Sequence, residues 1–172
     1  MQTRARILVI TGPGKGKTTS AMGIILRSLA HGRRTLLARF AKTFHSGELA
    51  VLENMPGLTI LAGDRGMTPP PSHPDYPLHV AAARELFSRV AERAGDADTI
   101  VLDEICGITS RGMIDEAEVV AFLKGLRPGQ AAVLTGRGAG LDLLAAADTV
   151  SEVQNLKHGY ARGIAAQPGV EF

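Results

Sequence analysis

An apolar run, a glycine-rich loop and a helix-forming segment follow one another near the start of this chain, and together they constrain its fold most. The run covers residues 7–11, and the loop reads Thr-Gly-Pro-Gly-Lys-Gly-Lys-Thr-Thr over residues 11–19. This spacing matches the phosphate-binding loop pattern, except that Thr11 occupies the first glycine position. Backbone N–H groups in such a loop and the N-terminus of the following helix both favour polyphosphate binding. We therefore predict that the chain binds a nucleoside triphosphate, ATP with Mg²⁺.

The loop residues have distinct chemical roles. Lys17 supplies a cation for the phosphates, and the hydroxyl of Thr18 is a ligand for Mg²⁺. A simple glycine turn beside a surface lysine is the alternative, but the strand–loop–helix context argues against it. The residues predicted to bind the nucleotide in this loop are Gly12, Pro13, Gly14, Lys15, Gly16, Lys17, Thr18 and Thr19.

Apolar strand-like runs alternate with helix-forming segments along the whole chain. Further strands are predicted at residues 35–40, 58–62, 99–103, 131–135 and 149–153. Helices are predicted at residues 18–30, 48–55, 78–94, 114–126 and 141–147, and the tail 163–172 is a candidate edge strand. This alternation predicts an α/β three-layer sandwich with a mostly parallel sheet. With its phosphate loop, the chain is predicted to have a P-loop NTPase (RecA-like) fold, and its length suits a single domain over residues 1–172.

Two further motifs follow predicted strands and should lie near the phosphate loop, because ligands bind at the carboxyl ends of parallel strands. Asp103 and Glu104 end one strand, and a carboxylate there is the usual holder of Mg²⁺ beside a phosphate loop. A solvated acid pair is the alternative. Residues 135–138 read Thr-Gly-Arg-Gly, and Arg137 either donates a forked hydrogen bond to an anion or is exposed in a turn.

Composition and charge exclude several classes of function. The net charge is +2 without a concentrated basic stripe, so no nucleic-acid binding is expected. Cys106 is the single cysteine, which excludes an internal disulfide. His73, His79 and His158 lack partners at zinc-binding spacing. Residues 1–6 lack a signal-peptide pattern, and no segment is apolar enough to span a membrane, so a cytoplasmic protein without membrane partners is expected.

Residues 63–77 form the irregular stretch of the sequence. They include Pro69, Pro70, Pro71, Pro74 and Pro77, so we expect no regular element to run through them. Long irregular stretches in compact domains are usually functional. A lid over the site and a ligand for a partner protein are the two interpretations of the prolines.

Taken together, these motifs resemble the phosphate-loop type of ATP:corrinoid adenosyltransferase, nearly end to end. The phosphate loop alone is shared by many ATPases, whereas its combination with the later motifs is far more specific. The matching segments are the loop at 11–19, Arg27, 31–32, Phe40, Lys42, 46–48, 101–104, 135–138, 147–152, 157–158 and 163–172.

The resemblance implies an activity and a set of roles. Members transfer the 5′-deoxyadenosyl group of ATP to the Co(I) of a corrinoid and release triphosphate, in adenosylcobalamin biosynthesis or salvage. By resemblance, Lys17 and Arg137 are catalytic, Thr18 and Glu104 ligate Mg²⁺, and Arg27, a cofactor-binding residue, lies with Arg137 near the nucleotide or the corrinoid. A homodimer and a flavoprotein reductant are also implied. The alternatives are a P-loop ATPase or kinase with a non-corrinoid substrate and a non-catalytic nucleotide-binding module.

The chain departs from the family pattern at the loop and in the irregular stretch. Pro13 stands where the family often has Asn, and Thr43 replaces a glycine. Met67 and Pro69 replace the aromatic residues that help the family displace the lower cobalt ligand before Co(II) is reduced. We therefore expect residues 63–77 to border the corrinoid pocket and to assist Co(II) reduction less well.

Overall fold

The computed structural model describes residues 4–41, 47–63 and 65–170. Its sheet has six strands, in the order β3-β2-β4-β5-β1-β6, and every recorded strand pair is parallel. The strands are β1 Arg6–Thr11, β2 Thr35–Arg39, β3 Leu58–Ala62, β4 Thr99–Asp103, β5 Ala131–Thr135 and β6 Thr149–Glu152. The predicted α/β fold with a parallel sheet is confirmed, and each predicted strand lies within about one residue of its observed bounds.

Each predicted helix is present, with ends shifted by a few residues. The helices are α1 Lys17–Ala30, α2 Gly47–Leu52, α3 Tyr76–Arg93, α4 Ile105–Thr109, α5 Glu116–Lys124 and α6 Leu141–Ala146. α4 was not predicted, because its five residues are too few to show a helical period. Pro77 lies in the first turn of α3, where its missing N–H costs nothing, so the irregular stretch is shorter than predicted.

Two helical layers enclose the sheet. On one face, α1 and α2 pack against Ile10, Leu37, Val101 and Val133. On the other face, α3, α4, α5 and α6 pack against side chains that include Leu36, Ile100, Leu102 and Leu134. Strands β2 and β4, which are neighbours inside the sheet, are buried at every position, and this explains the apolar residues in the middle of each strand. This arrangement is the predicted three-layer sandwich.

The carboxyl ends of the strands share one edge of the sheet, because all strands run in the same direction. There Thr11 pairs with Glu152, and Arg39 pairs with Asp103. The segments that follow these strands, including the phosphate loop, therefore converge on the same side of the molecule. This edge positions the candidate site.

The tail does not add a strand over residues 163–170. It contains a 3₁₀ turn at Tyr160–Arg162 and then irregular backbone. Gly163 and Gly169 adopt positive φ angles of 70° and 77°, which a strand does not accommodate. The predictions for Lys42, Thr43 and Ser46 lie outside the described residues.

Candidate active site

A cleft of about 870 Å³ lies at the carboxyl edge of the sheet. It brings together most of the predicted loop residues with the acidic motif and the arginine after β5. The predicted residues that line it are Gly14, Lys15, Gly16, Lys17, Thr18, Thr19, Glu104 and Arg137. Its volume falls in the range of small-molecule sites in proteins.

The phosphate loop begins one residue later than the consensus spacing suggests. Thr11 is still part of β1, pairing with Glu152 of β6, and its hydroxyl oxygen accepts a hydrogen bond from the Ala139 backbone N–H at 3.4 Å. The chain turns at Gly12, whose φ angle of 101° is open to glycine. A threonine at the first consensus position is therefore explained by its place in a regular strand.

Glycines 12 and 14 are required by the packing of the loop against the end of β6. A Cβ atom would lie 2.6 Å from the Val153 carbonyl oxygen at Gly12 and 2.5 Å from the Gln154 carbonyl oxygen at Gly14. The Gly14 N–H also donates to the Val153 carbonyl oxygen at 2.7 Å. At Gly16 a Cβ would meet nothing within 4 Å. Glycine is favoured there because the backbone has a φ angle of 112°, which other residues rarely adopt.

Lys17 is held at the centre of the loop. Its ammonium donates to the carbonyl oxygens of Gly12 at 2.8 Å and Gly14 at 2.6 Å. The residue is only 7% exposed, although its charge faces the cleft that it lines. The side chain thus closes the loop on itself and places a fixed cation where the phosphate groups of a nucleotide would lie.

A buried network joins the loop to the acidic strand. The Asp103 carboxylate oxygen Oδ1 accepts from the Thr18 hydroxyl at 2.9 Å and from the Thr135 hydroxyl at 2.7 Å. The Thr135 oxygen in turn accepts from the Glu104 backbone N–H at 2.9 Å. Thr135 begins the predicted Thr-Gly-Arg-Gly motif, but no role was predicted for its hydroxyl, which reaches Asp103 because β5 lies beside β4. Asp103, which is fully buried, orients the Thr18 hydroxyl.

Glu104 has a left-handed backbone conformation with a φ angle of 69°. Such a conformation in a non-glycine residue costs about 1–3 kcal/mol and is concentrated at functional sites. Glu104 is the residue at which the chain leaves β4 and enters α4, so that Asp103 is buried while Glu104 lines the cleft. The two neighbouring carboxylates therefore have separate environments.

A sequence model of the family described as ATP:corrinoid adenosyltransferase BtuR/CobO/CobP matches residues 3–172. The chain belongs to this family. A corrinoid adenosyltransferase of Escherichia coli (strain K12) is 34% identical over 98% of this chain and 86% of its own length. One from a Sinorhizobium species is 38% identical over 96% of this chain and 79% of its own, and the corrinoid adenosyltransferase CobA of Salmonella typhimurium is 34% identical over 99% and 87%. The chain is thus a transferase that adenosylates corrinoids.

Three residues predicted for the adenosyltransferase site, Gly12, Pro13 and Arg27, do not line the cleft, whereas Lys15 lines it with its ammonium bonded to the tail. Arg27 is exposed in the last turn of α1 and does not line the cleft; ten residues of helix, roughly 15 Å, separate it from Lys17. Pro13 is exposed and has no N–H to donate to a phosphate. The Lys15 ammonium donates to the Val170 carbonyl oxygen of the tail at 2.5 Å. The nucleotide-binding roles of these residues stay predictions.

Two arginines of the adenosyltransferase cleft were not predicted. Arg39, at the end of β2, is 2% exposed and pairs in register with Asp103. Burial lowers the pKa of the Arg39 guanidinium, while the carboxylates of Asp103 and Glu48 partly offset that shift. A charged residue ending an otherwise apolar strand was its signal in the sequence. Arg111 follows α4 and also lines the cleft.

Cations outnumber carboxylates on the cleft surface, and this imbalance suits a polyanionic substrate. The carboxylates are Glu48 and Glu104, and the cations are Lys15, Lys17, Arg39 and Arg137, besides Arg111, whose guanidinium donates to the Thr68 carbonyl oxygen at 3.0 Å. Cys106 is fully buried next to the cleft, and burial, reinforced by the Glu104 charge, raises the pKa of its thiol to about 12. The thiol is therefore neutral and not a nucleophile at ordinary pH.

The described residues show neither a metal-binding cluster nor a membrane-spanning helix. They contain no group of three or more His, Cys, Asp or Glu side chains arranged to hold a metal ion. Within the same ranges, no helix combines the length and the apolar character needed to cross a membrane.

Proposed function

We propose that Mg-ATP binds with its triphosphate on the loop at residues 12–19 and that a corrinoid occupies the remainder of the same cleft. The observation that carries the proposal is the position of the Lys17 ammonium, which is fixed between two loop carbonyl groups and lines this cleft. In the reaction, the electron pair of Co(I) forms the bond to the ribose C5′ of ATP. The C5′–O bond breaks, its electron pair leaves with the triphosphate, and cobalt becomes formally Co(III).

The leaving triphosphate explains why a phosphate-binding loop serves this reaction. Negative charge grows on the oxygen that departs from C5′, and Lys17 with the loop N–H groups is preorganised to stabilise it. Arg137, exposed on the cleft wall after β5, supplies a second cation. No side chain has to act as a general base, because cobalt is the nucleophile, and this agrees with the neutral thiol of Cys106.

The residues beside Lys17 fit Mg²⁺, which prefers a few hard oxygen ligands together with phosphate oxygens and water. The Thr18 hydroxyl donates to Asp103 at 2.9 Å, which fixes its orientation on the cleft wall, and a hydroxyl oxygen is a suitable ligand for Mg²⁺. Glu104 provides a carboxylate on the cleft surface. We assign Thr18 and Glu104 as ligands and Asp103 as the residue that orients Thr18. Bound there, Mg²⁺ would neutralise part of the triphosphate charge.

Glu104→Gln should raise the Mg²⁺ concentration needed for half-maximal activity about tenfold, because the amide loses the ligand charge. The fold should be preserved, since the substitution is nearly isosteric. The measurement is a Mg²⁺ titration of adenosyl transfer, with Mg²⁺-dependent nucleotide binding measured by calorimetry. The control is Glu118→Gln, which removes a charge of α5 that pairs with Arg84 at 3.6 Å. An unchanged Mg²⁺ requirement in Glu104→Gln would show that Glu104 is not a ligand.

The apolar side chains that line the cleft form the proposed corrinoid side. Met67 is 88% exposed there, and Ala41 and Ile108 line the same space. A flat macrocycle can cover such apolar side chains and remove them from water. Met67 and Pro69 offer less flat surface than aromatic rings to exclude a lower cobalt ligand.

We therefore expect transfer from Co(I) formed chemically in advance to be faster than transfer from Co(II) supplied with a flavoprotein reductant. The measurement compares the initial rates of the two assays at equal corrinoid concentration. The reference is a mixture without corrinoid, which gives the rate at which the flavoprotein itself is reduced. Equal rates in both assays would mean that other residues replace the missing aromatics.

We further propose that the enzyme works in the cytoplasm as a homodimer and that a flavoprotein supplies the electron that reduces the bound corrinoid from Co(II) to Co(I). Large apolar side chains on the edge strand β6 and in the segment after it support an interface. Val150 is 46% exposed, Leu156 95% and Tyr160 86%. Light scattering at micromolar concentration should give twice the mass of the chain. A single-chain mass would contradict the homodimer.

The activity itself is tested with one spectrum. Chemically reduced Co(I) corrinoid, Mg-ATP and the protein should yield an absorbance spectrum of a Co–C bond that is lost on illumination. An ATPase or kinase acting on another substrate would leave the corrinoid spectrum unchanged while consuming ATP.

A further inference from the structure

A side-chain bridge ties the irregular loop, residues 65–75, to the segment that follows α4. The Arg111 guanidinium donates from Nη1 to the Thr68 carbonyl oxygen at 3.0 Å. The Tyr76 hydroxyl donates to the Arg111 carbonyl oxygen at 2.8 Å. Arg111 is thus attached through its side chain to the middle of the loop and through its main chain to the residue where the loop enters α3.

The loop depends on such a bridge because of its composition. Its four prolines at 69–71 and 74 have no N–H and cannot take part in a regular hydrogen-bond ladder. Thr68 is 8% exposed, so its carbonyl group needs a partner within the protein. A charged donor makes a stronger hydrogen bond than a neutral one. Thr68 is therefore a fixed point of the loop, and the position of its neighbour Met67 follows from it.

The same arginine is close in sequence to the nucleotide side of the cleft. α4 separates Glu104 from Arg111, and three of its five residues, Ile105, Cys106 and Ile108, are buried in the core. This short helix is a rigid spacer. Gly107, Ile108, Ser110 and Arg111 line the same cleft as Lys17. The segment therefore has a nucleotide-side carboxylate at one end and the anchor of the loop at the other.

We propose that Arg111 is a positioning residue for the corrinoid: it holds Thr68, and so places Met67 on the cleft wall against which the macrocycle lies. This rests on the proposed function of the cleft. Arg111 acts through the loop, and the triphosphate is bound by other residues. Its loss therefore weakens corrinoid binding and leaves nucleotide binding intact.

The test separates the two substrates. Arg111→Gln should raise the KM for the Co(I) corrinoid about tenfold, as expected for loss of a charge-assisted hydrogen bond. The dissociation constant of Mg-ATP, measured by calorimetry, should stay within about twofold. Arg111→Lys, which retains a cationic donor, should recover most of the corrinoid affinity. Tyr76→Phe, which removes only the hydroxyl, should shift the corrinoid KM in the same direction by a smaller factor.

The matched control is Arg84→Gln on α3, an exposed arginine outside the cleft that pairs with Glu118 at 3.6 Å. It should leave both substrate constants unchanged. An unchanged corrinoid KM in Arg111→Gln would overturn the proposal, and so would an equal loss of ATP affinity, which would make Arg111 a nucleotide ligand. Failure of the unmodified protein to adenosylate any corrinoid would instead overturn the proposed function.

Discussion

Replacing Lys17 with alanine should lower kcat/KM for adenosyl transfer about a hundredfold. Loss of one preorganised electrostatic donor typically costs about 3 kcal/mol of transition-state stabilisation, because the negative charge on the leaving group then lacks a fixed cation beside it. The substitution also releases the carbonyl groups of Gly12 and Gly14, to which the ammonium donates at 2.8 and 2.6 Å. Activity and ATP binding are measured together with the melting temperature.

Lys124→Ala is the control for removal of a lysine charge. Lys124 is exposed in the last turn of α5, outside the cleft, and its variant should match the unmodified protein. Near-normal turnover in Lys17→Ala, with its fold intact by circular dichroism, would contradict the role given to Lys17.

Gly14→Ala should destabilise the protein and disable nucleotide binding at once. Its Cβ would lie 2.5 Å from the Gln154 carbonyl oxygen and 2.7 Å from the Val153 carbonyl oxygen, so the loop or the end of β6 has to move. Overpacking of this kind costs about 1–3 kcal/mol. We expect the free energy of unfolding to fall by about 2 kcal/mol. Because the loop then leaves its position, ATP affinity should fall at least tenfold.

Gly23→Ala in α1 is a matched control with the opposite sign. A Cβ at Gly23 would meet nothing within 4 Å, and alanine is the better helix former, so stability should rise by about 0.5–1 kcal/mol. Chemical denaturation measures both variants. If Gly14→Ala unfolds like the unmodified protein and binds ATP normally, the contact between the loop and β6 does not constrain this position.

The sheet and the loop were predictable because their signals are local. A strand buried on both faces requires a continuous apolar run, such as residues 100–102 of β4, and a phosphate loop requires glycines at fixed spacing after such a run. The resemblance added the order of the motifs. The structure then shows that Lys17, Thr18 and Glu104 line one cleft, as expected because ligands bind at the carboxyl ends of parallel strands.

The parts that could not be predicted depend on contacts between distant residues. The need for glycine at position 14 comes from β6, about 140 residues away in the chain. Thr135 joins the site only because β5 lies beside β4. The resemblance does not tell which way the Arg27 side chain lies on its helix. The structure places Arg27 in the last turn of α1, away from the cleft. The left-handed backbone of Glu104 has no signature in its residue type.

The identity of the phosphorus product tests the central claim, that this cleft breaks ATP at the ribose C5′, most directly. Phosphorus NMR of a reaction that contains Mg-ATP, Co(I) corrinoid and the protein should show one equivalent of intact triphosphate per adenosylated corrinoid. Without corrinoid, no triphosphate should form. ADP with inorganic phosphate as the products, in amounts independent of the corrinoid, would contradict the account.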